Sequence, residues 1–549
     1  MPQRIFRSVF LTGMLVLAAG PAHAQTITLT PVPAANAKQV GVAVPNFLSV
    51  ELTEVVRAEG SMRLENGTAD FLFYGYNGDG PFVPLPGDVQ APGHNVEATK
   101  TEPDKNTYLV LPDQRGADPD YDYGTHFLFQ GHESGVGTPK KGYITRINLD
   151  ADVAHRVTLL AITDILGNPL PVFDGSTWYP FSQHLLFTAE LGADGGVWQA
   201  TADVPSTVID ISGALGRGGY EGIQADSAGN LWIVEDVGGP FGGVNVNARQ
   251  PNSFIYRFVP SNTADLTAGG KLQVLAVQAL ANGDTILFHA GQADADILSQ
   301  DIKDLHTYGN VFKTTWVTIH DTAVDGNAPF SANALAKAVG TPFKRPENGM
   351  FRPGSLFREF FFTETGDTDL RTQAGSQFGG FGALFKLTQQ RPSDDTGALT
   401  LFFLGDPDHT GFDNLAFLTD TQLVAVEDRG DTLHTQHNAL DSAFVFDVTL
   451  DYSQSLNQPL RMLAQGRDVA ATIDSVLGSI TGSGFQNDGD NEITGFHVSN
   501  GDPTVDGLLG KRIPHPFRHN NEWRVFYTHQ HGDNVTYEIL RTEHVPKAQ

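Results

Sequence analysis

Carboxylates recur in this chain at offsets that suit cation chemistry. Glu221 opens EGIQADSAGNLWIVED and Asp413 opens DNLAFLTDTQLVAVED, and each reaches a second acid, Glu235 and Glu427, after 14 residues. Asp174 opens DGSTWYPFSQHLLFTAE and reaches Glu190 after 16, while Glu347, in RPENGMFRPGSLFREFFFTETG, reaches Glu364 after 17. Two apolar runs and a polar turn lie between the acids of each pair. Each unit therefore reads as a hairpin with one carboxylate at the start of a strand and another at the end of its partner, both near the same end of the pair.

Several such hairpins set side by side gather acids at one mouth: Glu133, Glu190, Glu221, Glu235 with Asp236, Glu347, Glu364, Glu427 with Asp428, and Glu492. Like charges at close quarters raise one another's pKa and desolvation adds to the cost, so the set calls for cations. Hard, oxygen-ligated ions answer that need, Ca²⁺ above all. The alternative for any single acid is a solvated turn carboxylate or a hydrogen bond between neighbouring strands.

The elements that would carry these acids are strands. Glycine (59) and Phe (36) are abundant, and long helical periods are few, which favours an all-β chain with many turns. Strands that stop at a polar residue recur at 127–133, 185–190, 231–235, 360–364, 423–427 and 525–531, and further strands follow at GYITRINL, SFIYRFVP, GALFKLTQ and SAFVFDVTL. Repeated β units too small to bury themselves imply a β-propeller, and six strand ends imply six blades. The largest insertion, between Pro260 and Pro346, carries the best helical candidates, DADILSQDIKDLHTYGNVF and SANALAKAVG. The segment 61–76, with Asn66-Gly67 as its turn, is expected to be the first hairpin. The last strand, NVTYEILRTEHV, is expected to pair with an early one such as 71–76 and close the ring.

Residues 1–24 combine Arg4 and Arg7, a short apolar run and the ending Ala22-His23-Ala24, which reads as a cleaved secretory signal ahead of a single propeller domain over 25–549. A periplasmic or secreted monomer is expected. No stretch offers the roughly 20 apolar residues of a membrane span. The formal charge of −28 argues against nucleic acid and anionic lipid as partners. Cysteine is absent, which removes disulfides, thiolate catalysis and thiolate ligation.

The motifs DGSTWYPFSQHLLFTAE, YEGIQADSAGNLWIVED with PNSFIYRF behind it, RPENGMF, DNLAFLTDTQLVAVEDRGD, and NEITGF followed by VFYTHQHGDN resemble the PhoX-type alkaline phosphatases, in consistent order over most of residues 120–540. The resemblance implies a six-bladed propeller that hydrolyses phosphate esters with iron and calcium in its channel. It further implies Glu221 and Glu347 as iron ligands, Arg345 as the phosphate-binding group, and Glu190, Asp428 and Glu492 as calcium ligands. On that reading Arg345, Glu347 and Glu221 form the catalytic set. The family's iron-ligating cysteine, however, is matched by Phe173 or a neighbour. Leu191 and Asn348 likewise stand where the family has acids. Loss of a thiolate weakens the case for iron more than for calcium.

Metal ions that clamp phosphoryl oxygens and an Arg fork that binds the rest would suit ester hydrolysis. Two other classes stay open: a Ca²⁺-dependent esterase or lactonase, and a calcium-stabilised propeller that binds a partner without catalysis. A channel Arg favours the phosphatase. Histidines 126, 132, 184, 497, 529 and 531 form no HExxH, Asp488, Asp490 and Glu492 lack EF-hand spacing, and no GxSxG is present. GGPFGGVNV reads as a loop at the channel mouth.

Overall fold

A computed structural model describes residues 26–33, 46–78, 80, 82–84, 87–89, 95–190, 195–465, 492–518, 522–530 and 534–544. The expected signal segment, Asp488, Asp490 and His531 lie outside these residues.

Six antiparallel blades follow one another along the chain. Their innermost strands are Pro103–Val110, Ser176–Tyr179, Tyr220–Ala225, Gly349–Phe351, Phe412–Phe417 and Glu492–Ser499. Each touches the next and the sixth returns to the first, so the six strands surround a common axis. This is the expected propeller. Outer strands Ile144–Asn148, Ile255–Pro260, Ala383–Thr388 and Ser442–Asp447 lie where GYITRINL, SFIYRFVP, GALFKLTQ and SAFVFDVTL place them.

The ring closes differently from the expectation. The last strand, Val535–Arg541, pairs with Leu52–Ala58, from Leu52↔Arg541 to Ala58↔Thr536. Residues 61–76 do turn back on themselves, with Leu64 N donating to the Leu72 carbonyl at 3.0 Å and Tyr74 N to the Met62 carbonyl at 2.9 Å, but they form only the bridges Arg63↔Phe73 and Tyr76↔Lys100 and do not pair with the last strand. The side chains explain the difference, since Phe71 and Tyr74 are buried as core rings with Tyr108, Tyr143 and Phe526 rather than lined up in a ladder. A second early strand, Asn46–Leu48, extends blade five through Phe47↔Ala464.

The large insertion holds the helices Ala293–Ile297, Gln300–Leu305 and Ala332–Ala336, and the hydroxyls of Ser299 and Ser331 cap the latter two. It also holds a ten-residue strand, Phe312–Asp321, that pairs with Gly270–Val277 of blade three and Thr396–Leu404 of blade four. These two blades therefore share one nine-stranded sheet. Aromatic rings fill the space between blades: Trp232 lies 5.1 Å from Trp316 and 5.0 Å from Phe351 and Phe360. Burying each such side chain stabilises the fold by about 1.5–3 kcal/mol. That packing holds the inner strand ends still enough to support a site.

Candidate active site

The inner strands carry their acids on irregular backbone. Register breaks between Pro103 and Asn106, between Tyr220 and Ile223 and between Phe412 and Leu415, the intervals that contain Asp104, Glu221 and Asp413. A bulge takes a residue out of the ladder and re-aims its side chain. Hydroxyls from elsewhere in the ring fix these bulges: Thr188 Oγ1 donates to the Glu221 carbonyl at 2.6 Å, Thr363 Oγ1 to the Asp413 carbonyl at 2.9 Å and Ser176 Oγ to the Lys105 carbonyl at 2.9 Å.

Three groups of carboxylates result. Asp104, Glu133 and Asp174 bring oxygens within 4.8 Å of one another, as do Asp174, Glu190 and Glu221, and likewise Glu221, Glu347 and Asp413. Because Asp174 and Glu221 are shared, the groups run as one chain of acids from blade one to blade five. Blade six adds Glu492, which feels Asp428, Glu133, Asp413 and Asp104. Burial pushes the carboxyls of Asp174, Glu190, Glu221, Asp413 and Glu492 well up, and the neighbouring acids push them further. Burial also raises Glu347 to about 8 and Asp104 to about 6. Oδ2 of Asp413 and Oδ1 of Asp236 are buried without a hydrogen-bond donor among the described residues. A set of buried oxygens that resists ionisation in this way is suited to hard cations.

Not every acid of the repeat joins the chain. Glu235 accepts hydrogen bonds from Phe254 N, Tyr256 Oη and Asn333 Nδ2 at 2.9–3.2 Å. Glu364 accepts from Lys344 N and pairs with His306 Nε2, both at 2.8 Å, and Glu427 accepts from Thr410 N, Arg429 Nη2 and Ser442 N. The gathering expected of these three does not occur, because each is the last residue of its strand and faces into its own blade. The next residue faces the cluster instead. That position is Glu133 after His126–His132, Glu190 after His184–Ala189, Asp236 in blade three, Thr365 in blade four and Asp428 in blade five. A shift of one residue along a strand turns the side chain to the opposite face. Thr365 occupies the place in blade four without a charge, donating to Glu347 Oε1 at 2.6 Å.

Two cations meet the acids. Arg345 donates from Nε to Asp236 Oδ2 at 2.8 Å and from Nη2 to Glu347 Oε1 at 3.3 Å, and its side chain stays 24% exposed. Burial opposes its charge, but Asp236 and Glu347 outweigh burial and raise its pKa. The segment is not extended there: Arg345 has φ 58° although it precedes Pro346, a context that disfavours this backbone. Strain of about 1–3 kcal/mol is typical of such residues, which concentrate at functional sites. The second cation, Lys105, is 1% exposed, and its Nζ has no hydrogen-bond partner among the described residues. Burial brings it down to about 8, against the pull of Asp413, Asp104, Asp174 and Glu221.

Asp104 and Lys105 belong to the site but were not singled out from the sequence. Asp174 and Asp413 were seen there only as the first acids of the repeat. Phe173, at the place of the family's cysteine, packs in the core 5.4 Å from Phe187 and 5.7 Å from Trp198. Asn348 is taken up by Gly349 N and Asn414 Oδ1. No histidine joins a metal-ligating group among the described residues: His126 pairs with Asp150, His132 stacks on Tyr143, His184 meets Ser182, His497 accepts from Tyr108 N and His529 meets Gln465.

No curated protein matches the sequence. Residues 246–499 match the family model of the alkaline phosphatase PhoX. Among solved structures, Pseudomonas fluorescens PhoX in complex with vanadate, a transition state analogue, aligns with 94% of this chain and 98% of its own at 11% identity and a TM-score of 0.52. A catalytically inactive virginiamycin B lyase from Staphylococcus aureus aligns with 79% of this chain and 98% of its own at 12% identity, with a TM-score of 0.30. The family match over residues 246–499 agrees with the resemblance carried by RPENGMF and its companion motifs, and the solved PhoX structure shares the fold of this chain.

Proposed function

We propose that the chain of carboxylates holds hard cations, calcium first, and that the site hydrolyses small phosphate esters presented at the channel mouth. The observation that carries this reading is the linked set Asp104–Glu133–Asp174–Glu190–Glu221–Glu347–Asp413, buried except for the half-buried Glu133 and Glu190 and bordered by Arg345. The donors are all carboxylate oxygens, which fits Ca²⁺. Glu347 and Glu221 would hold cation between blades four and three, with Glu190, Glu492 and Asp428 as further candidates. Such ions supply Lewis acidity toward phosphoryl oxygens and offset charge that builds up there. Iron fits less well. The thiolate that the family's iron draws on has no counterpart, since the ring of Phe173 is in the core, and no part of the reaction is assigned to iron.

The chain's own residues then have separate tasks. Arg345 turns its guanidinium to the mouth, held by Asp236 and Glu347, and binds the phosphoryl oxygens of the ester. Lys105 offers three N–H donors from a buried position with no partner among the described residues, so an anionic oxygen entering the cluster would meet a cation already desolvated. A channel Arg beside the acids favours ester phosphate over a lactone. We further propose that residues 1–24 are a cleaved export signal, that 25–549 act as one domain and that the protein is a periplasmic or secreted monomer. No helix among the described residues is long and apolar enough to cross a membrane.

Elemental analysis of purified protein, followed by phosphomonoester, phosphodiester and lactone assays before and after chelation, tests the reading. Bound calcium and a phosphatase activity lost on chelation and restored by Ca²⁺ are expected. Metal-free protein with full activity would overturn it.

A further inference from the structure

We infer that Arg249 is a second anion-binding point at the mouth, and that the site prefers phosphate esters whose leaving group carries a further negative charge. The inference rests on the phosphatase reading above and adds a substrate class to it.

Asp236 holds Arg345 and also begins the loop that ends at Arg249. That end is anchored, because Arg249 N donates to Asp367 Oδ1 at 2.9 Å, and Asp367 is held in turn by Lys344 Nζ at 2.9 Å and Thr372 Oγ1 at 2.6 Å. Lys344 is the residue next to Arg345. Both ends of the loop are thus tied to the same few atoms around the phosphate-binding guanidinium.

The side chain of Arg249 is placed as deliberately as its backbone. Its guanidinium lies 4.2 Å from the centroid of Phe241, a ring that is 50% exposed on the same loop. A Cβ on Gly238 would come within 3.0 Å of Arg249 Nη1, so glycine there leaves the guanidinium its space. Among the described residues the guanidinium makes one hydrogen bond, a long one of 3.5 Å to the Gly239 carbonyl, and no direct ion pair with a carboxylate, although Asp236 and Asp367 favour its charge from farther off. Burial first, and then repulsion from the charge of Arg345, lower the pKa of Arg249 against the pull of Asp236 and Asp367. Two guanidinium groups held within each other's field, one of them without a direct ion pair among the described residues, suit a ligand with two anionic groups, one on each. The exposed face of Phe241 offers apolar contact to the atoms between them.

Phenyl phosphate and carboxyphenyl phosphate differ by one carboxylate and serve as the probes. In the wild type we expect kcat/KM to favour the carboxylated ester. Arg249→Gln should cut that preference by about tenfold, the usual scale of one hydrogen bond to a charged group, and Arg249→Lys should keep part of it. Raising salt should erode the wild-type preference without any substitution, which keeps the test available if a variant does not fold. An equal ratio of the two esters in wild type and Arg249→Gln, or a wild-type preference indifferent to salt, would overturn the assignment while leaving the phosphatase reading intact. A wild type that hydrolyses neither ester would overturn both.

Discussion

Stripped of cations, this protein should become less stable as pH rises from 5 to 8, and excess calcium should abolish that fall. In an unfolded chain Glu347 would titrate near 4.5 and Asp104 near 3.8, whereas in the folded state burial first, and neighbouring acids such as Asp236 beside Glu347, move them to about 8 and about 6. Between the two values of each group the native state binds the extra proton. Stability is therefore fully present below the unfolded value, falls by about 1.4 kcal/mol per pH unit per group, and stops falling above the folded value. Glu347 alone accounts for about 5 kcal/mol over its window and Asp104 for about 3 kcal/mol over its own. Unfolding entropy scales with length, so in a chain this long 1 kcal/mol shifts Tm by roughly 1 °C, and the two groups together predict a fall of several degrees. Calcium would bind the ionised carboxylates and stabilise the fold by mass action, most strongly where protons no longer compete. Thermal melts at pH 5, 6, 7 and 8, in verified chelator and in millimolar calcium, measure both curves. A chelated protein as stable at pH 8 as at pH 5 would refute the claim that burial holds these carboxyls protonated. Parallel curves with and without calcium would refute the cation site.

Other substitutions separate the parts of the site. Glu347→Gln should lower bound metal and abolish phosphatase activity, since an amide is a poor ligand for a hard cation, whereas Arg345→Ala should leave metal nearly intact and weaken phosphate inhibition and turnover. Elemental analysis beside kinetics distinguishes them, and full metal with wild-type kinetics in both would remove the assignment. Glu235→Gln should leave bound metal unchanged but reduce stability by about 1–3 kcal/mol, because it disturbs a buried hydrogen-bonded carboxylate inside blade three. A drop in bound metal there would mean that the inward position has been misplaced by one residue. Lys105→Met should raise KM for phosphate esters about tenfold or more by removing a buried donor to the phosphoryl group, and unchanged kinetics would show that the ammonium serves the carboxylates alone.

The blades were legible because each one repeats a hairpin with the same local chemistry, a turn between apolar strands, and such signals survive insertions. The pairings that close the fold were not. Leu52–Ala58 meets Val535–Arg541 from the other end of the chain, and its burial pattern is mixed rather than alternating. Only Leu52 and Ala58, at the two ends of this edge strand, are buried, so its sequence carries no apolar alternation. Phe312–Asp321 was hidden for another reason. Its Thr314, Thr315, Val317, Thr318 and Ile319 are β-branched as a strand requires, but the segment between the helical candidates that end at Phe312 and begin at Ser331 is left unassigned by the sequence.

The site was legible in kind and displaced in detail. An acid at each strand end identified the right mouth, but the offsets of 14 and 17 residues ended on Glu235, Glu427 and Glu364, one position short of the side chains that face the axis. Aligning the ends on Glu133 and Glu190 would have put Asp236 and Asp428 in register with them and left Thr365 as the uncharged member. Asp104 was out of reach of the spacing argument, because the loop before His126 stretches its distance to Glu133 to 29 residues. Lys105 raises a different difficulty, since a lysine inside a strand is ordinarily a solvated residue, and only the ring of strands makes this one a buried charge. A one-residue error and a hidden acid have the same physical origin: repeats record the local hairpin, whereas the direction a side chain takes at a bulge depends on hydroxyls such as Thr188 and Thr363, which reach it from a strand it does not pair with.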